Sequence, residues 1–273
     1  MVDLERALKF VRENGALYDQ FRLDHFLGKP VDPEAAVRDL MRFQNEDGGW
    51  GHGLEPDYAG EVSTVSSSVQ ALRILAELGL STHPTALRTI SFITIMQRSD
   101  GAWDEDVALY AQKIPRRLWP TRRWTIWSST IDALASLIRT GFSDSREVEW
   151  GRQFLGIDED LVEEVWGQGL PYPALGLLVF GSALEPRAWE FNRCQQIIAA
   201  WLHSGEQVGS DLPILADVLM QSGMTAGTGP FEETRARLEE AQREDGGWSA
   251  PARWNRGDAT LVVLRFLRTL GAI

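Results

Sequence analysis

Gln44–Asn45–Glu46–Asp47–Gly48–Gly49–Trp50 is the stretch that decides how this chain folds. It returns as Gln97–Arg98–Ser99–Asp100–Gly101–Ala102–Trp103 and again as Gln242–Arg243–Glu244–Asp245–Gly246–Gly247–Trp248, with Trp six positions after Gln each time. A self-similar unit sets the architecture before any local detail is considered. Apolar residues run up to the Gln (Leu40, Met41 and Phe43; Phe92, Ile93, Ile95 and Met96), so an outgoing helix is expected there. Asp–Gly ends it, because glycine accepts the left-handed backbone that a helix C-terminus favours. The Trp then folds back as a large apolar plate. The Gln amide is expected to bond backbone groups near the helix end that lack partners.

The first two copies lie 53 positions apart and the second and third 145, nearly three times as far. Two eroded repeats therefore sit between them. Periodicity and breakers predict paired helices throughout. They fall at Leu4–Asn14 with Leu17–Leu27, from Pro33 to the first unit with Ser63–Gly79, and at Thr85–Gln97 with Trp124–Thr140. Further pairs are Arg146–Leu155 with Pro171–Leu184, Pro186–His203 with Leu212–Ser222, and Pro230–Gln242 with Asp258–Leu270. That makes six helical hairpins and no strand-rich segment. Such hairpins stack into a solenoid or close into a ring. The second helix of a pair starts with small residues (Ser63, Thr64, Ser66–Ser68; Ser128–Thr130; Ala259, Thr260). Small residues let helix ends crowd a narrow axis, which favours an all-α (α/α)5-6 toroid in one domain, 1–273, with inner and outer rings.

The chain has 273 residues, 44% hydrophobic, with 27 basic against 39 acidic residues and a net charge of −12. Such a field disfavours nucleic acid and anionic lipid as partners. One cysteine, Cys194, permits neither a disulfide framework nor a cysteine-rich metal site. The N-terminus lacks the apolar core of a signal peptide, and the longest apolar runs are too short to span a bilayer. A cytoplasmic protein is expected.

The Gln–Trp unit after an apolar helix resembles the QW repeat of squalene–hopene cyclases and related class II terpene cyclases, and is similar to the repeats of protein prenyltransferase β-subunits. Gly48–Gly49–Trp50–Gly51–His52–Gly53–Leu54–Glu55–Pro56–Asp57 looks closer still to small stand-alone bacterial toroid proteins. The resemblance implies an α/α toroid that handles isoprenoids. Class II cyclases protonate an alkene with the central Asp of Asp–x–Asp–Asp. Here Asp104–Glu105–Asp106 has two of the three aspartates, and Asp258–Ala259–Thr260 resembles only the end of that motif. Prenyltransferases hold zinc with Asp, Cys and His. Cys194 lacks such partners at family spacing, so no zinc site is expected.

Three constellations carry chemistry, each against a structural alternative. His52, Glu55 and Asp57 lie in the loop entering a second helix, where two nearby carboxylates share a proton and desolvation raises the pKa of one; capping the helix is the rival role. Asp104 and Asp106 stand at the equivalent point of the next repeat, as a second acid pair or a Mg²⁺ site for a diphosphate; a solvated loop is the rival. Arg116, Arg117, Arg122 and Arg123, interleaved with Trp119, Trp124 and Trp127, offer an anion site with aromatic faces for a prenyl chain or carbocation. Asp258, with Trp254 just before it, is a fourth candidate, its rival role being an N-cap. The reading is an acid-catalysed isoprenoid cyclase or isomerase acting on a small hydrophobic substrate or isoprenoid diphosphate. No cofactor is required unless a diphosphate brings Mg²⁺. Two other classes stay open: a non-catalytic toroid binding lipid or peptide, and a carbohydrate-active α/α barrel.

Overall fold

The computed structural model describes residues 2–156, 171–181, 188–204, 209–222 and 229–273. The eroded Gln–Trp unit expected after Arg146–Leu155 falls in 157–170, outside them, as do the ends of the predicted helices at Leu184 and Pro186. Twelve α-helices make up the described residues: α1 Leu4–Asn14, α2 Leu17–Phe26, α3 Pro33–Met41, α4 Val65–Glu77, α5 Pro84–Ile95, α6 Arg123–Arg139, α7 Arg146–Leu155, α8 Pro171–Gly181, α9 Ala188–Ser204, α10 Leu212–Gln221, α11 Gly229–Glu240 and α12 Arg256–Thr269. Two 3₁₀ turns, Val107–Ala111 and Arg116–Leu118, interrupt the connection between α5 and α6. Among the described residues extended pairing is limited to isolated bridges, two of which join Gln to Trp within a unit. The all-α class expected from the sequence is thus what the described residues adopt.

Contacts sort the chain into two compact units, one of residues 1–31, 169–181 and 186–273, the other of 32–168 and 182–185. In the second, α4 packs on α5 and α6, and α6 on α7. In the first, α10 packs on α8, α11 and α12, and α12 on α1 and α2. Helix starts follow local chemistry. Asp32 and Thr64 accept from backbone N–H groups of the first turns of α3 and α4, and Pro33 and Pro84 open α3 and α5. His83, expected as a turn residue, caps α5 through Nδ1, which accepts from Thr85 N at 3.2 Å. The helices before the Gln–Trp units bury one face, Ala36, Val37 and Leu40 in α3, whereas α4 is buried from Val65 to Leu75. That contrast is the burial expected of helices with neighbours on one side or on several.

The three Gln–Trp units share one set of bonds. Gln44, Gln97 and Gln242 each donate through Nε2 to the Gly carbonyl of their own turn, Gly48 at 3.1 Å, Gly101 at 3.0 Å and Gly246 at 3.0 Å. The same Nε2 reaches forward to the next hairpin: Thr89 Oγ1 at 3.2 Å on α5, Glu147 O at 2.9 Å on α7, and Asp3 O at 3.0 Å before α1. The expected bond to backbone beside the helix end is thus made within the turn, and a second one stitches the unit to the next hairpin. Gly48, Gly101 and Gly246 have φ near +90° and lie against the backbone of Arg88, Trp150 and Arg6. All three Trp rings are buried.

The small residues starting the second helices serve these units. Ser68 Oγ, Thr130 Oγ1 and Thr260 Oγ1 accept from the backbone N–H of Trp50, Trp103 and Trp248 at 3.2, 2.9 and 3.2 Å. A hydroxyl is needed at those positions because a buried N–H without an acceptor is costly.

Candidate functional site

The loop from Gly51 to Ser63 is pinned at both ends, since Thr64 N donates to Trp50 O at 3.0 Å and His52 N to Gly60 O at 2.7 Å. It drives Glu55 into the interior at the first turn of α4. There Ser66 Oγ and Ser67 Oγ donate to the two Glu55 oxygens at 2.8 and 3.0 Å. Arg117, from the second 3₁₀ turn, closes the group. Its Nε and Nη2 grip Asp57 at 2.9 and 2.6 Å, Nη2 also reaches Glu55 at 3.0 Å, and Nη1 donates to Ser66 Oγ at 2.7 Å. Burial alone lowers a guanidinium pKa, but the charges of Glu55 and Asp57 outweigh it and push Arg117 up. The side chains of Asp57 and Arg117 form the partly exposed edge of the cluster, and Glu55 its closed floor.

Glu105 completes the arrangement. Its carboxylate takes the first two N–H groups of α4, Val65 N at 2.8 Å and Ser66 N at 3.1 Å. Burial raises its pKa to about 8, helped by Glu55 and opposed by the two backbone bonds and Arg117. Three carboxylates around one guanidinium leave an excess of negative charge in a desolvated place, and a proton on Glu105 is the cheapest relief. Tyr58, whose hydroxyl donates to Val62 O at 2.8 Å, is raised to about 12 by burial and by the same acids.

The structure thus brings together Glu55, Asp57 and Arg117, which the sequence reading set in two separate constellations. It separates Asp104 from Asp106. Asp104 accepts from Thr121 N at 2.9 Å and Glu105 N at 2.8 Å and is raised by burial. Asp106 caps the first 3₁₀ turn, accepting from Ala108 N at 2.7 Å. His52 has a left-handed backbone, and its Nε2 meets Asn45 Oδ1 at 2.7 Å, a loop tie outside the acid cluster. Arg116 and Arg122 stand over the Trp119 ring, 5.5 and 4.0 Å from its centroid. Arg123 is exposed at the start of α6, Trp124 is half-buried beside it, and Trp127 is buried. Among the described residues no group of three or more His, Cys, Asp or Glu is arranged to hold a metal ion.

Asp258 and Trp254 belong to the other unit. Asp258 is not the cap of α12. Asn255 Oδ1 takes that role, accepting from Asp258 N at 2.8 Å. The Asp258 carboxylate is buried and shares Arg22 Nη1 with Asp19, at 2.7 and 2.8 Å. Burial raises Asp19 to about 6, against the pull of Arg22 and with help from Asp258. Tyr18 is raised by burial and the same two acids, and its hydroxyl accepts from Asn255 Nδ2 at 2.9 Å. Trp254 is buried nearby in sequence.

Sequence reasoning passed over Glu105, Asp19 and Arg22. Glu105 is the middle residue of an acidic trio, and three consecutive acids present no pattern that marks one of them as buried. Asp19 and Arg22 are three apart on a helix, a spacing usual for surface pairs, so nothing local marked them as buried.

Residues 29–120 match the squalene-hopene cyclase C-terminal domain family. That stretch contains Glu55, Asp57, Glu105 and Arg117, the whole first cluster. A squalene–hopene cyclase of Bradyrhizobium diazoefficiens (strain JCM 10833 / BCRC 13528 / IAM 13628 / NBRC 14792 / USDA 110) is 36% identical over 72 residues, covering 24% of this chain and 11% of that relative. The chain therefore matches a small part of the relative's length. The repeated units, the all-helical hairpins and these matches make the chain similar, over residues 29–120, to the squalene-hopene cyclase C-terminal domain family.

Proposed function

We propose that this protein is an acid-catalysed isoprenoid cyclase or isomerase, with Glu105 as the acid. One observation carries the reading: Glu105 is a buried carboxyl, its pKa pushed by burial up to about 8, beside Glu55 and inside the matched stretch. At neutral pH such a group is mostly protonated, which is what proton donation to a weakly basic alkene demands. The Glu105 O–H proton passes to an alkene carbon and leaves a carbocation. Loss of a proton from a neighbouring carbon then gives the product and returns the acid to its starting state. Arg117 pairs with Glu55 and Asp57, and the carboxyl of the cluster whose pKa burial raises is Glu105.

Purified protein incubated with C10–C35 isoprenoids and their diphosphates tests this. Turnover that collapses in Glu105→Gln while ligand affinity is kept supports it. Absence of turnover across the set overturns it.

A second reading rests on the saturation of the cluster. Arg117 spends Nε, Nη1 and Nη2 on its neighbours, and both Asp57 oxygens are taken. A site bonded so fully to itself suits a non-catalytic member that binds a lipid without transforming it. In that case a ligand is retained through purification and Glu105→Gln leaves its retention unchanged.

A further inference from the structure

We propose that Arg116 and Arg122, which both stand over the Trp119 ring, form a binding site for a phosphate or diphosphate ester. This goes beyond the acid reading and stands without it. The connection from Val107 to Ile131 has no acidic residue but has Lys113, Arg116, Arg117, Arg122 and Arg123, in a chain whose net charge is −12. Arg117 is consumed by Glu55 and Asp57. Arg116 and Arg122 are exposed and bond no carboxylate among the described residues. Both guanidinium groups nevertheless converge on one half-buried ring, 5.5 and 4.0 Å from its centroid. The ring's face attracts each cation, but two like charges brought to one plate repel. An anion between them removes that repulsion and is gripped by planar forks suited to phosphoryl oxygens.

The backbone is committed to this presentation. Thr121 has φ of 63°, unusual for a β-branched residue, and its N–H is held by both Asp104 oxygens, at 3.2 and 2.9 Å. That turn sets Arg122 beside Trp119, which makes Asp104 a positioning residue of the platform. The potential has a further source of the same sign. Arg122 leads into α6, whose first turn has no acidic residue and no side-chain cap. By contrast, the start of α4 already holds the Glu105 carboxylate.

A phosphoryl group of this kind comes either from a free isoprenoid diphosphate or from a lipid headgroup. Three probes separate the sources: inorganic pyrophosphate and farnesyl diphosphate, each by calorimetric titration, and phosphatidylglycerol–phosphatidylcholine vesicles by co-sedimentation. Saturable binding is expected, weakened roughly tenfold per arginine in Arg116→Gln and Arg122→Gln, the size of one charge-assisted hydrogen bond. Arg38→Gln, at an exposed arginine beside Asp32 and away from the platform, is expected to bind as the parent does. Trp119 emission should respond to pyrophosphate in the parent and not in the double variant. Both positions are exposed, so matched melting curves will show that the variants fold. Binding of farnesyl diphosphate assigns the site to a soluble ligand, and binding of vesicles alone assigns it to a headgroup. No binding of any probe, or binding undiminished in the double variant, overturns the proposal. Because the readout is binding, loss of isoprenoid turnover in Glu105→Gln leaves this result unaffected.

Discussion

Gln242 and Asp3, 239 positions apart, exchange a pair of hydrogen bonds: Asp3 N donates to Gln242 Oε1 at 2.7 Å, and Gln242 Nε2 donates to Asp3 O at 3.0 Å. The third Gln–Trp unit is thereby fastened to the start of α1, as the first is to α5 and the second to α7. The N-terminal helix takes the place of the next hairpin's first helix. Replacing Gln242 by Ala should cost about 1–3 kcal/mol, since it removes three hydrogen bonds of modest net worth, two across an exposed seam and one to Gly246 O. Denaturant midpoints at constant m-value measure it, and an unchanged midpoint would show that the seam contributes nothing.

Gly246 tests the same seam from the backbone. Its φ is 90°, and a Cβ there would lie 2.5 Å from the Arg6 backbone. Gly28 has φ of 70° with nothing within 4 Å of its would-be Cβ. Gly28→Ala should therefore cost only the left-handed penalty, about 1–2 kcal/mol. Gly246→Ala should cost clearly more, since α1 must also be displaced. Equal losses in thermal unfolding would refute the close approach as the reason for glycine.

Thr130 anchors Trp103 through its hydroxyl, which accepts from the buried Trp N–H at 2.9 Å. Thr130→Val keeps shape and removes that acceptor. The expected loss is about 1–3 kcal/mol, the cost of a buried donor without a partner. Thr260→Val should act alike on Trp248.

Arg117 pairs with Glu55 and Asp57, so Arg117→Met should destabilise by about 3–5 kcal/mol, because it leaves the buried Glu55 and the partly exposed Asp57 without their cation. Adding Glu55→Gln and Asp57→Asn should recover much of it. A triple variant no more stable than Arg117→Met would mean that packing, and not charge, is what Arg117 supplies.

The sign of the pH dependence follows from Glu105 and Asp19. Each has a pKa raised in the folded state, from 4.5 to about 8 and from 3.8 to about 6. The folded protein therefore binds more protons than the unfolded chain across those intervals, and stability falls as pH rises through them. Asp24, Asp100 and Asp245 are lowered: arginine partners hold Asp24 and Asp245 down, and Arg98 with the Ala102 N–H outweighs burial at Asp100. All three act in the opposite sense below 3.8. Maximum stability should lie on the acid side of neutrality. Glu105→Gln should flatten the decline between pH 4.5 and about 8, read from melting temperature against pH, whereas Asp106→Asn should leave it as it is.

The sequence by itself determined the repeated unit, the helices and their approximate ends. Those depend on spacing within a few turns: Gln six positions before Trp, Gly at a left-handed turn, apolar residues at the helical period. The all-α class and the likeness to terpene cyclases were legible for the same reason, and Glu55 and Asp57 were legible as acids near the start of a helix. Only the tertiary structure decided which charges meet. Arg117 reaches Glu55 across 62 positions, and Glu105 reaches Val65 across 40. Asp104 and Asp106, two positions apart, end in different roles because a loop's side-chain directions are set by the surfaces it packs on. Asp19, Arg22 and Asp258 look like surface residues and are buried, because the helices that cover them are distant in sequence. Local spacing fixes what a segment is, whereas burial and pairing of charge depend on which distant segment comes to lie against it.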